Sequence, residues 1–443
     1  MIEIPVAFID PPTGDLGGPP GSINRLEQEA GEAMKRLAEL YPGVRFREHH
    51  VRSMADVEEF LEEEAGAVGY LVFSLNSIVG LLDPIAMSGK PTVVIAEAYG
   101  GAGEALLGVN RPRGSGRAIA VYTRNPVSDW ALGRVKHLIA LARLRESRVL
   151  YIVSPTSKSH ITWQFPLSTD LYSVFRSVEA ITGASPIVMD AEEFRSKYMD
   201  PVGEEEAGAV MKAWIEGAMA VEERDLSEVL NSARLYLAMR RAAEELGAAA
   251  VAVDCISLYN SGLLRAWPCL GYMQLWYDGV APVCEADPYS AIPILIGKYL
   301  LGRNGFVVNV GMDEEAGEFI YHHCYAPTNP HGGRPEAGYV ITTAHLGSKH
   351  ASIHVKLPVG EPVTAVGFNP EERELYIHVS NAFINEHRPE ACATKLVARG
   401  DVRAAAGNWR SRGGWHRVIL YGDHSAELEE FAALLGLRVV REA

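Results

Sequence analysis

The sequence predicts an α/β protein: two doubly wound parallel-sheet, Rossmann-like domains at residues 1–147 and 148–334, then a β-rich antiparallel barrel or sandwich at 335–443. Three observations predict it. Continuous apolar runs such as IPVAFID and GYLVFSL alternate with amphipathic stretches, as strands covered on both faces by helices do. The alternation restarts at VLYIVS, from Val149. Past Pro335 it gives way to short alternating segments separated by turn residues, the mark of antiparallel strands.

In chain order, IPVAFID (4–10) reads as a buried strand and RLEQEAGEAMKRLAELY (25–41) as an amphipathic helix. GYLVFSL (69–75) is the next strand, followed by a helix to Met87. SGK leads into the strand PTVVIAEAY (91–99), and AIAVYT (118–123) completes the first set. A helix from Ser128 to Arg145 hands over to VLYIVS (149–154). IVMDAEEF, a helical stretch at 220–246, AAVAVDC (249–255), GVAPVCEAD and GFVVNV (305–310) form the second α/β unit. YVITTAHL, ASIHVKLP, PVTAVGFN, ELYIHVS and CATKLVA are the strands of the third, broken only by the helix SAELEEFAALLG.

A chain of 443 residues suits two to three domains, and 48% hydrophobic with 22% charged residues supplies ample core. The formal charge of −15 opposes a surface built for nucleic acid, which needs a basic face. No run approaches the roughly 18–20 apolar residues of a membrane span, and MIEIPVAFIDPP lacks the basic flank of a signal peptide, so a cytoplasmic protein without membrane attachment is expected. The five cysteines, Cys255, Cys269, Cys284, Cys324 and Cys392, never form CxxC and read as small core residues.

Three stretches can carry chemistry. GDLGGPPGS (14–22) is glycine-rich but matches no phosphate-loop pattern, and its prolines remove amides a phosphate cradle needs; it reads as an ordinary loop on the active face. VAPVCEADPYSAI (280–292) puts Glu285 and Asp287 at the carboxyl end of a parallel strand, where open α/β sheets bind ligands. Asp287 precedes Pro288, as a helix N-cap does before a proline at the first helical position. Glu285 has no such structural reason and needs a cation or a proton. In EFIYHHCYAP, alternation sends His322 and His323 to opposite faces, so at most one joins a site with Glu285. In SRGGWHRVILYGDH, His416 follows a Gly-Gly turn at the head of a strand. Carboxylate and imidazole together suit Mn, Fe, Co or Zn.

These segments resemble the L-fucose isomerase and L-arabinose isomerase superfamily over most of the chain. YLVFSLNSIVGLLDPIAMSGKPTVVI is similar to its strand, helix and GKP-strand unit; CLGYMQLWYDGVAPVCEADPYSAI to a strand ending in Glu-x-Asp; GFVVNVGMDEEAGEFIYHHCYAP to the acidic turn and His-bearing strand that follow. TTAHLGSKH, GEPVTAVGFNPEERELYIHVS and GGWHRVILYGD resemble the β-rich terminal domain. The resemblance implies an aldose–ketose sugar isomerase with a divalent cation, most often Mn²⁺, held by acids from two strands and by histidines. Carried over, the ligands are Glu285, His323 and His416, with the second acid falling on Asn309, or on Val308 by a one-residue shift. It also implies a homotrimer or homohexamer in which the first domain of one subunit covers the site of another, making Glu97 and Tyr99 substrate-binding lid residues.

The departure at Asn309 has chemical content. Isomerisation through an enediol moves a proton between adjacent carbons. An Asn carbonyl coordinates a cation weakly and takes no proton at neutral pH. Asp287 is then the expected second acid beside Glu285, with Asp313 or Glu314 reaching in from their turn as alternatives. The competing expectations are a sugar-binding or regulatory homologue with a degraded cation site, or different metal chemistry on a sugar-like substrate.

Overall fold

The computed structural model describes residues 1–11, 22–76, 80–109, 117–154, 171–343, 350–388 and 390–443; the loop at 14–21 and most of TTAHLGSKH lie outside the described residues. Two units emerge: Met1–Arg143 with Glu427–Arg438, and Leu144–Ala426 with Val439–Ala443.

The first unit is a five-stranded parallel sheet of β1 (Ile2–Ile9), β2 (Val44–Val51), β3 (Tyr70–Ser74), β4 (Thr92–Glu97) and β5 (Ala118–Thr123), in the order β2-β1-β3-β4-β5. That is the flavodoxin-like doubly wound order. Strands β3 and β4 are buried along their whole length, as their unbroken apolar runs require. The sequence pattern does not reveal β2, because VRFREHHV is an edge strand whose charged residues keep it from pairing further.

In the second unit β6 (Arg148–Val153), β7 (Ser185–Asp190), β9 (Ala250–Val253) and β10 (Ala281–Val283) form a parallel sheet ordered β10-β9-β6-β7, while the two-residue β8 (Ala220–Val221) pairs elsewhere. The helical stretch expected at 220–246 accordingly starts at Leu226, behind the N-cap Asp225. After β10 the chain makes one 3₁₀ turn, Cys284–Ala286, and enters the helix Pro288–Ile296. Every residue of that helix is buried, and it touches β9 and β10 on one side and barrel strands on the other. A helix apolar all round belongs in such a position.

The rest is antiparallel. Strands β11 (Phe306–Asp313), β12 (Glu318–His323), β15 (Pro362–Asn369), β16 (Glu374–Asn385), β17 (Thr394–Arg399) and β18 (His416–Tyr421) run in the order β15-β18-β11-β12-β17-β16, closed by the β15–β16 pairing. A register shift between Ala382 and Ile384 bends β16, whose first part pairs with β15 and last part with β17. Strands β13 (Tyr339–Thr343) and β14 (Ala351–Val355) form a separate sheet with β8, and β19 (Arg438–Arg441) joins β16.

The expected third layer is therefore a barrel. GFVVNV, expected in the second parallel sheet, is corrected to the barrel strand β11, antiparallel to both β12 and β18. Period and hydrophobicity do not separate a fully buried parallel strand from one lining a barrel. Among the described residues no helix is long and apolar enough to cross a membrane.

Candidate metal centre

Glu285 stands in the turn after β10 with φ 56° and ψ 24°, and Ala286 follows at φ 50°. Two successive non-glycine residues in the left-handed region cost about 1–2 kcal/mol each, and such outliers concentrate at functional sites. The turn aims the Glu285 carboxylate at β12 and β18. Glu285 Oε1 lies 3.5 Å from His323 Nε2 and Oε2 3.8 Å from His416 Nε2. The two imidazoles meet edge to face, centroids 5.4 Å apart. One donor atom from each of the three residues falls within 4.8 Å of the others, and both histidines are buried.

These separations exceed the 2.7–3.2 Å of a normal N–H···O bond. Two ligand atoms each about 2.1 Å from one ion stand roughly 3.0–3.5 Å apart, so small side-chain adjustments convert the trio into a coordination set.

His416 is positioned from both sides. Gly414, at φ 71° and ψ −170°, occupies a conformation open essentially to glycine, and a Cβ on Gly413 would meet Tyr376 Cε2 at 2.1 Å. The Gly-Gly pair thus sets the start of β18. From the other side Asp287 Oδ2 accepts from His416 Nδ1 at 3.0 Å. This fixes the proton on Nδ1 and leaves Nε2, buried and without a hydrogen-bond partner, facing Glu285. Burial lowers the affinity of His416 for a second proton, but the hydrogen bond to Asp287 and the charges of Glu285 and Asp287 outweigh it, and the pKa is raised.

Asp287 is also the helix cap that its sequence context predicts: Oδ1 accepts from Tyr289 N at 2.9 Å and Oδ2 from the Ser290 hydroxyl. Both oxygens are occupied holding the helix and His416, which makes Asp287 a positioning residue in this geometry.

Asn309 lies directly across from His416 on β18 and from His322 on β12. Its Oδ1 is buried without a hydrogen-bond partner, as a carbonyl awaiting a cation would be. The alternative Val308 pairs with Arg417 and is fully buried core. His322 packs edge to face on Trp415, 6.0 Å between centroids, so of the two adjacent histidines only His323 enters the trio. Asp313 and Glu314 do not reach in: Asp313 accepts from Ala316 N in its own turn, Glu314 lies 3.7 Å from Arg403, and Asp313 is four residues along β11, about 13 Å, from Asn309.

In the first unit, Glu97 Oε2 accepts from the amides of Tyr99 and Gly100 at 2.8 and 2.6 Å, closing the turn after β4, and Tyr99 is 70% exposed beneath Arg124.

Asp254 is a further acid that the sequence patterns do not single out. It ends β9, the strand beside β10, is fully buried, and caps the next helix through Oδ1 with Oδ2 left without a partner. Its one sequence signal is its place after AVAV, the same strand-end position as Glu285.

All five cysteines are buried, and the Cys324 thiol contacts both Cys269 and Cys392. Burial raises the thiols of Cys255 and Cys284, and contact with the neighbouring thiols raises that of Cys324, which removes their reactivity. The native protein is expected to leave all five unreacted with Ellman's reagent at neutral pH and to titrate five after unfolding; reaction of any of them at the rate of a free thiol would contradict this packing.

No family model matches the chain, and no characterised relative is found by sequence comparison. Among solved structures, a mutant XylFII-LytSN complex aligns with 67% of this chain and 93% of its own at 14% identity, but with a TM-score of 0.17, too low to carry an argument.

Proposed function

We propose that the chain is a metal-dependent aldose–ketose isomerase acting on a pentose, hexose or deoxyhexose through an enediol. The observation that carries the reading is the convergence of Glu285, His323 and His416 at the carboxyl edge of a parallel sheet, with His416 oriented by Asp287. Asn309, paired with His416 across β11 and β18 and with its Oδ1 buried without a hydrogen-bond partner, is the candidate fourth donor. A divalent cation of the Mn²⁺ type, when bound there, would polarise the two sugar oxygens flanking the migrating proton.

Glu285 is the base nearest that position, its carboxylate oxygens 3.5 Å from His323 and 3.8 Å from His416. Asp254, at the end of the strand beside β10 and with one buried oxygen free of hydrogen-bond partners, is the candidate for the second carboxylate that Asn309 cannot supply. Asp287, whose oxygens are occupied, acts through His416. The similarity to the L-fucose and L-arabinose isomerases supports the substrate class, and with it a cytoplasmic homotrimer or homohexamer in which Glu97 and Tyr99 face the sugar of a neighbouring subunit.

The purified protein is expected to hold about one divalent ion per chain and, with added Mn²⁺, to interconvert at least one aldose–ketose pair across a panel of pentoses, hexoses and deoxyhexoses. Glu285→Gln and His416→Ala should each strip the ion. Metal content unchanged by both substitutions would refute the site.

Asn309 specifically favours a second reading, a sugar-binding or regulatory protein on the same scaffold. Sugar-induced thermal stabilisation without turnover is its expected signature, and C–C cleavage or hydrolysis products would indicate other metal chemistry.

A further inference from the structure

The second unit carries another concavity, a cleft of about 460 Å³ lined by Arg195, Asp200, Asn231, Arg234 and Arg265, with Leu263 on its apolar wall. Its residues come from segments that meet on one side of the parallel sheet. Arg195 and Asp200 belong to the helical segment following β7, Asn231 and Arg234 to the first turns of Leu226–Leu246, and Arg265 to the loop after Cys255–Asn260. Each of these lies beyond the carboxyl end of a strand or at the helix end facing it, the edge where open α/β sheets take ligands.

Three guanidiniums share this cleft with one carboxylate, a local excess of two positive charges on a chain whose formal charge is −15. The arginines are only loosely engaged. Arg195 Nε is 3.8 Å from Asp200, Arg234 Nη2 is 3.9 Å from the exposed Glu204, and Arg234 Nη1 makes a long 3.4 Å bond to Asn231. Arg265 has no ion-pair partner among the described residues and is exposed. Elsewhere in the same unit Arg241 is bound tightly to Glu206 and Lys197 reaches Glu245 at 2.6 Å, so acidic partners are available nearby and have not been used inside the cleft. Loosely held cations converging on a pocket keep their guanidinium forks available for a ligand.

We propose that this cleft binds a small phosphate monoester of a sugar or polyol. A phosphate dianion matches both the charge excess of two and the bidentate geometry of arginine, whereas a carboxylate matches the geometry with a single charge and a neutral sugar matches neither. Asn231 and Asp200 can hydrogen-bond hydroxyls, and Leu263 offers an apolar wall. The volume lies within the roughly 300–1,000 Å³ of small-molecule sites.

Calorimetric titration of the full chain at low ionic strength with inorganic phosphate, glucose 6-phosphate and glucose tests the proposal. Glucose 6-phosphate is expected to bind more tightly than inorganic phosphate, both weakening as salt rises. Arg234→Ala and Arg265→Ala should each weaken glucose 6-phosphate about tenfold or more, with Arg265→Lys intermediate, and all three variants should keep wild-type metal content and melting temperature. Any binding of glucose itself should be the same in wild type and variants. No binding of either phosphate ligand, or binding unaltered in both alanine variants, would overturn it, whichever way the isomerase reading falls. Inorganic phosphate binding as tightly as glucose 6-phosphate would overturn the sugar-bearing ligand.

Discussion

Replacing Glu442 with alanine is expected to destabilise the barrel by about 3–5 kcal/mol, a large share of the roughly 5–15 kcal/mol that holds a typical protein folded. Glu442 follows β19 and is fully buried. Its carboxylate accepts from Arg417 Nη2 at 2.5 Å and Nε at 3.1 Å and from His378 Nδ1 at 2.9 Å, and His378 Nε2 in turn meets the Tyr321 hydroxyl at 3.0 Å. Arg417, also fully buried, packs its guanidinium 3.8 Å from the centroid of Trp409. Removing the carboxylate leaves an uncompensated charge in the core, whereas replacing both ions by apolar groups does not. Arg417→Met with Glu442→Leu should therefore recover most of the lost stability. The readout is the urea midpoint for loss of hydrogen-exchange protection in β16 and β18; an unshifted midpoint for Glu442→Ala would refute the account.

The same network sets an acid limit. Burial alone would raise the Glu442 pKa, but Arg417 and His378 bring it down to about 2 from an ordinary 4.5, while burial lowers the pKa of His378. A depressed carboxylate contributes stability above its unfolded value and loses it as the pH falls from 4.5 toward 2. His378, held neutral, acts in the same direction from 6.5 downward, because the unfolded chain takes up its proton first.

Much of the fold was legible because its signals are local. AIAVYT, expected at 118–123, is β5 at those residues, PTVVIAEAY contains its strand to within two residues of the ends, and VLYIVS is displaced by one residue from β6. What escaped depends on the partner a strand finds. VRFREHHV carries too little apolar character to announce an edge strand, and GFVVNV looks the same whether it enters a parallel sheet or a barrel. The site divides the same way. Glu285 stood out because a carboxylate at a strand end has no structural reason of its own, and Asp287 because Asp-Pro signals a cap. The second function of Asp287, orienting His416, is a contact across 129 positions that no local pattern encodes. Asp254 was hidden for the opposite reason, since an acid capping the next helix already looks accounted for.

Asp287→Asn is expected to leave the fold intact and lower metal affinity about 10–100-fold. Asparagine caps helices as well as aspartate, so the bond to Tyr289 N survives. The amide nitrogen, however, takes the place of the oxygen that accepts from His416 Nδ1, and a donor there selects the tautomer with its proton on Nε2. The nitrogen facing Glu285 then carries a hydrogen and no longer offers a lone pair. Asp287→Ala should lose the same affinity and about 1 kcal/mol of helix stability as well, so a matched melting temperature with divergent Mn²⁺ binding separates the orienting role from the cap. The pH profile distinguishes them further. In the wild-type protein His416 has a pKa raised above 6.5, so metal binding must displace its proton and affinity falls as the pH drops through that raised value. In Asp287→Asn the obstacle is a tautomer and not an added proton, so raising the pH should not restore affinity. Titration of Mn²⁺ into metal-stripped protein over a pH series provides the measurement, and wild-type affinity in Asp287→Asn would show that His416 does not depend on Asp287 for its orientation.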